Sequence, residues 1–589
     1  MKRLVSLLLT FAVALSAFAA GSGEPSGETE TAATIKNPDT VVYATIGDME
    51  SLDPAKAYDN ASWGNMQNIM EPLVAFKGGS TKEFVPVLAT EVPSYENGGI
   101  SPDGKTIKFK IRKGVKFHNG NDLTPEDVEY TFERNMVLDP DHGPVWFWFF
   151  SFNGNYSSRL GDDELVPFEA IDNAVEVEGD YVVFNLANPY PPFISAMCGV
   201  WASVVDKEYT VSQGGWPGTA ETYAEYNNPD TGSETLYEVA NGTGPYQLVR
   251  WDKGNEIVVE RFEGYWGEKP ALKRAIYRVI EEWSTRKLML LQGDADFAYI
   301  PAMNYEEMKQ EPGLTVMEDL PRLSVTCAFF NQDITVEENG SIFSGQLDGE
   351  GIPSDFFADH DVRYAFSYAF DRKTFIDDVT DGNAVDPATP VVFGLAHKDE
   401  SIKSLAFDSA KAEELFKKAW GGQLWEKGFK MELLYNTGNV TRETGAKLLA
   451  ETISKINPKF VIEVRGMEWP AYLDARRNGR LPINITGWGA DYPDPDNFAM
   501  PFMHSQGDFA GPAGYSNAAA DKLIETGALE TDPAKRDEIY SKLQQIWIDD
   551  APGIIFHQPV VKRIYRDWIK GYVYHPMESE HVWYTLRKE

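Results

Sequence analysis

Hydrophobic and polar positions change their period part-way along the chain. In the first half, alternation with a period of two dominates. Residues 40–46 read as a strand, and Ile107, Phe109 and Ile111 alternate as in a half-buried strand. Val175 and Val177, then Val182, Phe184 and Leu186, make a hairpin about Gly179-Asp180. Further strands are predicted at 256–262, 276–280 and 294–300, with a helix at 284–292. Residues 61–76 read as helical, with Trp63, Met66, Gln67 and Met70 on one face and Pro72 ending the run. Thr124 is placed as an N-cap, with Pro125 at the first helical position and Asp127 three after the cap, ahead of the stripe Val128, Phe132 and Met136. Residues 209–242 are polar and irregular, a long surface excursion.

After Pro301 helix and strand alternate. Val362, Ala365, Phe366, Ala369 and Phe370 form a helical stripe, and Asp408 caps a helix with Ala412, Leu415, Phe416 and Ala419 inward. Strand 429–435, helix 442–456, strand 460–465, helix 470–477 and strand 483–488 follow. That order predicts a largely parallel sheet with crossover helices. Asp532-Pro533 starts the last long helix, with Ile539, Leu543, Ile546 and Trp547 inward, before strand-like residues 554–557. Two lobes are therefore expected, one mostly β and one α/β, with a ligand cleft between them that closes by hinge motion.

The strand at 483–488 runs into Gly487-Trp488-Gly489 and then three carboxylates, Asp491, Asp494 and Asp496, spaced by Pro493 and Pro495. The prolines fix φ and bias the residues before them toward extended geometry, so the loop is stiff. Ligands of α/β folds bind beyond the carboxyl ends of strands. Asp491 lies between Trp488 and Tyr492, a charge flanked by two flat apolar faces. That suits a ligand with a cationic or hydroxylated head and an apolar body. The same composition suits a solvated surface turn. Residues 145–152, VWFWFFSF, are the most aromatic run in the chain. They fit a buried wedge between subdomains or the apolar wall of a pocket.

The chain has 589 residues, enough for more than one core, and a formal net charge of −36, which argues against nucleic acid or anionic membrane surfaces as partners. Its two cysteines, Cys198 and Cys327, have no metal-ligand spacing and are expected to be free thiols, since a bridge across the hinge would restrict closure. Lys2 and Arg3 precede an apolar run and then Ala17-Phe18-Ala19, the pattern of a signal peptide over 1–19. No cysteine follows for a lipid anchor, so a periplasmic location and a soluble monomer are expected. Residues 20–37 read as a disordered linker.

Five motifs, in order, carry a family resemblance. They are Ser51-Leu52-Asp53-Pro54 with Glu71-Pro72-Leu73; Asp103-Gly104-Lys105 through Arg112-Lys113-Gly114-Val115-Lys116-Phe117, Gly120 and Asp127-Val128; Gly242-Thr243-Gly244-Pro245-Tyr246 with Tyr265-Trp266; Val362-Arg363-Tyr364-Ala365-Phe366 with Asp371-Arg372; and Gly487-Trp488-Gly489-Ala490-Asp491 with Asp494-Pro495-Asp496-Asn497-Phe498. The sequence resembles the peptide/nickel-type solute-binding proteins that feed ABC importers, the family of the oligopeptide- and dipeptide-binding proteins. The resemblance implies the three-domain form of the two-lobed periplasmic binding protein fold. Domain I would take residues 38–60, an inserted domain II 61–172, domain I again 173–305, an α/β domain III 306–552, and a return to domain I 553–589. It implies a peptide ligand, a membrane permease as partner, and Asp491 as the anchor for the ligand's α-ammonium. Trp488, Tyr492, Asn60, Trp63 and Trp146 are the further ligand-binding candidates. Where peptide binders of the family carry a basic residue two before the Gly-Trp, this chain has Ile485, with Arg476 and Arg477 upstream. Some members bind oligosaccharides, for which Trp63, Trp146, Trp148 and Trp488 would serve as platforms.

Catalysis is the competing class. The chain has no H-E-x-x-H and no G-x-S-x-G, and its eight histidines include no pair at ligand spacing. Asp491, Asp494 and Asp496 have the wrong spacing for a calcium loop. No cofactor and no metal are expected; a secreted hydrolase with two facing carboxylates is the alternative of a different class.

Overall fold

The architecture follows from one long sheet that the chain visits, leaves and revisits. The computed structural model describes residues 35–161, 164–230, 232–577 and 582–589. The expected signal peptide, and all but the last three residues of the expected linker, lie outside the described residues. Twelve strands among the described residues make the main sheet: β1 (Thr40–Thr45), β2 (Tyr246–Asp252), β3 (Glu256–Arg261), β4 (Arg274–Val279), β5 (Phe297–Ala298), β6 (Leu314–Pro321), β7 (Ser324–Phe330), β8 (Ala384–Val385), β9 (Phe429–Asn436), β10 (Phe460–Met467), β11 (Ile483–Gly489) and β12 (Gly553–Arg566). Their order is β10-β9-β11-β7-β12-β5-β1-β4-β3-β2, with β6 and β8 also paired to β12.

The two ends of this sheet are the two lobes. At one end β9 pairs in parallel with β10 and β11, as the alternating helix-strand pattern predicts. At the other, β1 pairs in parallel with β4 and β5, while β3 is antiparallel to β2 and β4. The chain passes between the lobes twice, along β6–β7 and along β12. β12 pairs antiparallel with β7 over its first part and with β6 over its second, with register shifts between Thr326 and Cys327 and between Met317 and Leu320. This two-stranded ribbon is the covalent link between lobes. The predicted strand at 554–557 is only its beginning, and the predicted strand at 294–300 shrinks to two residues.

Helices position the face between the lobes. α1 (Asn60–Ile69) is N-capped by Asp59, whose carboxylate accepts from the amides of Ala61 and Ser62 at 3.0 and 3.1 Å. The helix stops before Pro72, where the sequence places its end, and a strand follows at Val74–Phe76, paired with Phe84–Pro86. Pro72 lacks an N–H and disfavours a helical residue before it, which explains the switch. Gly242 and Gly244 lie against the end of α1; a Cβ on Gly242 would come within 2.1 Å of the Ile69 carbonyl oxygen, so the Gly-Thr-Gly motif is the seat of this helix. The Gly244 amide also donates to that carbonyl at 3.0 Å.

α2 (Pro125–Leu138) carries the predicted capping box. Its Arg134 donates to both carboxylate oxygens of Asp53, and both side chains are fully buried. The aromatic run folds as α3 (Trp146–Asn153), with Trp146 to Phe152 all buried. It is a wedge: Trp148 packs edge-on to Phe132, while Phe147 reaches Tyr492 of the other lobe at 5.8 Å. In the α/β lobe a second core gathers Phe330, Phe366, Phe416, Phe429, Phe460 and Ile485. Cys198 and Cys327 are both free thiols.

Removing one member of the Arg134–Asp53 pair leaves a buried charge without a partner. Arg134→Met is expected to cost about 3–5 kcal/mol of unfolding free energy in urea titrations, and adding Asp53→Asn should recover most of it. A loss confined to about 1 kcal/mol would show that solvent reaches the pair.

Candidate functional site

The site is built on the turn that follows β11. The last residues of this strand, Gly487, Trp488 and Gly489, pair with Thr326, Val325 and Ser324 of β7. The chain then turns through Ala490 and Asp491 and enters α5 (Asp496–Met503). Asn497, in the first turn of that helix, clamps the strand end. Its Oδ1 accepts from the Asp491 amide at 2.8 Å and from the Trp488 indole at 3.2 Å, and its Nδ2 donates to Asp491 Oδ2 at 2.7 Å.

Asp491 is 3 % exposed. Tyr58, from the first lobe, donates to the same Oδ2 at 2.7 Å and receives the Trp146 indole N–H at 3.0 Å. Oδ1 of Asp491 is buried and has no hydrogen-bond partner among the described residues. Burial pushes the Asp491 carboxyl up to about 7, against the opposing pull of the Tyr58 and Asn497 hydrogen bonds; the charge of Asp508 adds to the rise. Burial and the charge of Asp491 push the Tyr58 phenol well above its usual value, so it stays a donor.

Two cavities flank the strand end. The smaller, about 250 Å³, is lined by Trp488 and Gly489, by Asn60 at the start of α1, and by the polar set Arg322, Thr326, Asn383, Arg442 and His557. The larger, about 490 Å³, is lined by Ala490, Asp491, Trp63, Met70, Val200, Trp201 and Trp266. Arg442 sits in the first turn of α4 (Val440–Ile456). It donates to Asn436 Oδ1 at 2.8 Å, stacks over Trp469, and has no carboxylate partner among the described residues. A Cβ on Gly487 would stand 3.3 Å from Arg442 Nη2, so the absence of a side chain there lets the guanidinium approach the strand. Burial, with the charges of Arg442 and Arg322, holds His557 down at about 3. This cavity is therefore lined by arginines and by a neutral histidine.

The structure brings the predicted residues Asp491, Trp488, Asn60 and Trp63 to cavity walls. It places Tyr492 and Trp146 behind Asp491 instead. Tyr492 is fully buried, its hydroxyl donating to Asp496 at 3.0 Å and receiving Tyr190 from the first lobe at 2.9 Å. Trp146 packs on Tyr492 and spends its N–H on Tyr58. Neither lines either of the two cavities. Asp494 is taken by Arg536, in two hydrogen bonds of 3.0 and 2.7 Å. Ile485 lies in the core of the α/β lobe, Arg476 pairs with Asp508, and Arg477 pairs with Glu50. None of these three residues is a free cation at the cleft. Tyr58, Asn497 and Arg442 escaped the sequence analysis. Asn497 stood inside a recognised motif; Tyr58 and Arg442 carry no local signal, because only the tertiary fold brings them to the strand end.

Residues 83–510 match the family model of the bacterial extracellular solute-binding proteins, family 5 Middle. The chain belongs to this family. Among curated relatives of this family-5 protein, the dipeptide-binding protein of Escherichia coli is 27% identical over 560 residues, covering 92% of this chain and 93% of its own. The heme-binding protein A of Haemophilus influenzae is 27% identical over 584 residues, with 96% of each covered. Among solved structures, a Helicobacter pylori ABC transporter-associated periplasmic binding protein in complex with the peptide STSA superposes with a TM-score of 0.75 at 24% identity, covering 93% of this chain and 98% of that one. The family-5 chain thus has the mixed α/β fold of the periplasmic binding proteins. Among its described residues no helix is long and apolar enough to cross a membrane.

The raised Asp491 carboxyl makes a pH prediction. The unfolded chain titrates it near 3.8 and the folded protein near 7. Between these values the folded state binds more protons, so the stability contributed by the neutral carboxyl is full below about pH 4 and is lost as pH rises through 7. Asp491→Asn should therefore gain stability relative to the parent between pH 4 and 8, by on the order of 3 kcal/mol in urea unfolding of ligand-free protein. A difference that stays constant with pH would show that the carboxyl ionises normally.

Proposed function

We propose that this family-5 protein is the extracytoplasmic binding component of an ABC importer, that it captures a peptide between its lobes, and that it hands the peptide to a membrane permease. The observation that carries the reading is the pairing of opposite, unmet needs along one strand end. Asp491 holds a buried carboxylate oxygen without a donor, and Arg442, beside Gly487, holds a guanidinium without a carboxylate. A zwitterion with an ammonium at one end and a carboxylate at the other answers both. An oligosaccharide answers neither charge. Of the relatives, the dipeptide-binding protein and the structure in complex with the peptide STSA support the same ligand class.

Chemically, Asp491 receives the α-ammonium on Oδ1 while Tyr58 and Asn497 hold Oδ2, so the carboxylate is fixed before the ligand arrives. Arg442 serves the carboxylate that Ile485 cannot. Trp488 lies between them with its N–H committed to Asn497, leaving its ring to cover the ligand backbone. Because Tyr58 belongs to one lobe and Asp491 to the other, a ligand on Asp491 meets both lobes only when they are together, and binding biases the hinge toward the closed form. Residues 1–19 would export the chain to the periplasm, where it would work as a soluble monomer.

Purified protein is expected to release peptides with free amino termini on denaturation, identified by mass spectrometry; an oligosaccharide or a haem in their place would overturn the proposal. In calorimetry, Asp491→Asn should weaken peptide binding at least about 30-fold with unchanged circular dichroism. At pH 6 binding to the parent should release close to one proton per peptide, since the ammonium drives the raised carboxyl to ionise. Binding without proton release would remove Asp491 from the anchor role.

A further inference from the structure

Arg476 and Arg477 line neither cavity. They end the helix Trp469–Arg477 of the α/β lobe, which touches the first lobe at both ends. At its start the Trp469 indole donates to Asp59 Oδ1 at 3.4 Å, and the Arg442 guanidinium lies 5.8 Å from the centre of its ring. At its end Arg477 donates to Glu50 Oε1, with both side chains 6 % exposed. Arg476 holds Asp508 at 2.8 Å, and Asp508 meets His142 of the first lobe at 3.3 Å. The partners in the first lobe are tied to α1. Asp59 caps that helix, and the Glu50 amide donates to the Ser62 hydroxyl in its first turn at 2.9 Å. Asn60 and Trp63, on the same turn, are cavity walls.

The Arg477–Glu50 pair is joined less completely than the Arg134–Asp53 pair inside the first lobe. Arg134 grips both carboxylate oxygens, whereas Arg477 reaches one. Arg477 Nε and Nη2 and Glu50 Oε2 are buried with no hydrogen-bond partner among the described residues. Lys56, which also feels the charge of Glu50, spends its ammonium on the Asp141 carbonyl at 3.1 Å. Buried donors and acceptors left unpaired cost free energy, and an ion pair taken out of water regains only part of its hydration. Water would satisfy all three idle atoms if the lobes parted. We infer that Arg477 and Glu50 form a cross-lobe clasp, made when the lobes meet and broken when they part, which sets how long a ligand is held without touching it. The inference rests on the peptide reading above and on its hinge closure. With one partner gone, the other charge is buried alone whenever the lobes are together, and parting them restores its hydration. The form that encloses a ligand is thereby depleted. Arg477 and Glu50 are positioning residues: their effect reaches the ligand through Trp469, which bears on Arg442, and through α1.

Two measurements on the full chain test this, one without ligand and one with Ala-Phe and Ala-Phe-Ala-Ala as probes. In small-angle X-ray scattering of ligand-free protein, Arg477→Met and Glu50→Gln should each raise the radius of gyration, with unchanged circular dichroism. The double variant Arg477→Met/Glu50→Gln, which leaves no lone charge, should return toward the parent. In stopped-flow tryptophan fluorescence, each single variant should release whichever probe the parent binds at least about 10-fold faster without slowing its association, because the clasp acts only once the lobes have met. Arg477→Lys, which keeps the charge, should lose less than Arg477→Met, and the double variant should recover most of the loss. An unchanged radius in both single variants overturns the inference whether or not a probe binds, and so does dissociation at the parental rate. Failure of both probes to bind the parent, or undiminished binding by Asp491→Asn, strikes the peptide reading itself and takes the inference with it.

Discussion

Everything at this site depends on one buried carboxylate held by two donors from different parts of the chain. Asp491 Oδ2 accepts hydrogen bonds from Tyr58 and Asn497, each at 2.7 Å, and Oδ1 has no partner among the described residues. Taking a carboxylate out of water costs several kcal/mol unless hydrogen bonds or an opposite charge make up the loss. Two neutral donors make up part of it, which is why the group sits near 7 rather than near 3.8. The remainder is available to a cation. A binding protein uses that difference: the same desolvation that penalises the lone charge strengthens its attraction to an ammonium.

The supports behind this carboxylate explain the aromatic investment around it. Trp146 fixes the Tyr58 hydroxyl, and Tyr492 packs on Trp146 while donating a hydrogen bond to Asp496. Tyr190 joins from the first lobe. Asp496 is itself raised to about 7 by burial and by its neighbour Asp494, with Tyr492, Arg536 and Tyr190 pulling the other way. Two buried acids, each bridged across the lobes by tyrosine, make the closed interface polar at its centre and aromatic around it. An interface of this kind is stable when its donors and acceptors are matched and yields when they are parted, as a hinge requires. The ribbon of β6–β7 and β12 joins the two ends of the sheet with its backbone paired.

Much of the fold was legible beforehand. The parallel arrangement of β9, β10 and β11 followed from alternating amphipathic segments, and the capping box of α2 from Thr124, Pro125 and Asp127. Local rules governed those features, and the structure obeys them. A misjudged segment is one that tertiary context overrides: 294–300, where only Phe297–Ala298 pairs within the sheet. In the site, Asp491 and Trp488 stood out because two glycines and two prolines frame them. Tyr492 and Trp146 looked equivalent to Trp488 by composition, yet they face inward, because a side chain's direction depends on the packing of α3 against the loop and not on its neighbours in sequence.

The amino-acid sequence by itself determined the two-lobed α/β plan, the stiff acidic turn after the last parallel strand, and Asp491 as its most significant charge. These rest on periodicity, on the fixed φ of proline and on the spacing of motifs, all of them short-range. The tertiary structure alone decided that Asp491 is shielded by Tyr58 from 433 positions away, that Arg442 lines the smaller cavity while Arg476 and Arg477 are paired with acids, and that the tryptophans divide between a cavity wall and a buried wedge. Burial sets the free-energy cost of a charge and the availability of an aromatic face, and burial is a property of the whole fold that no single stretch of chain contains.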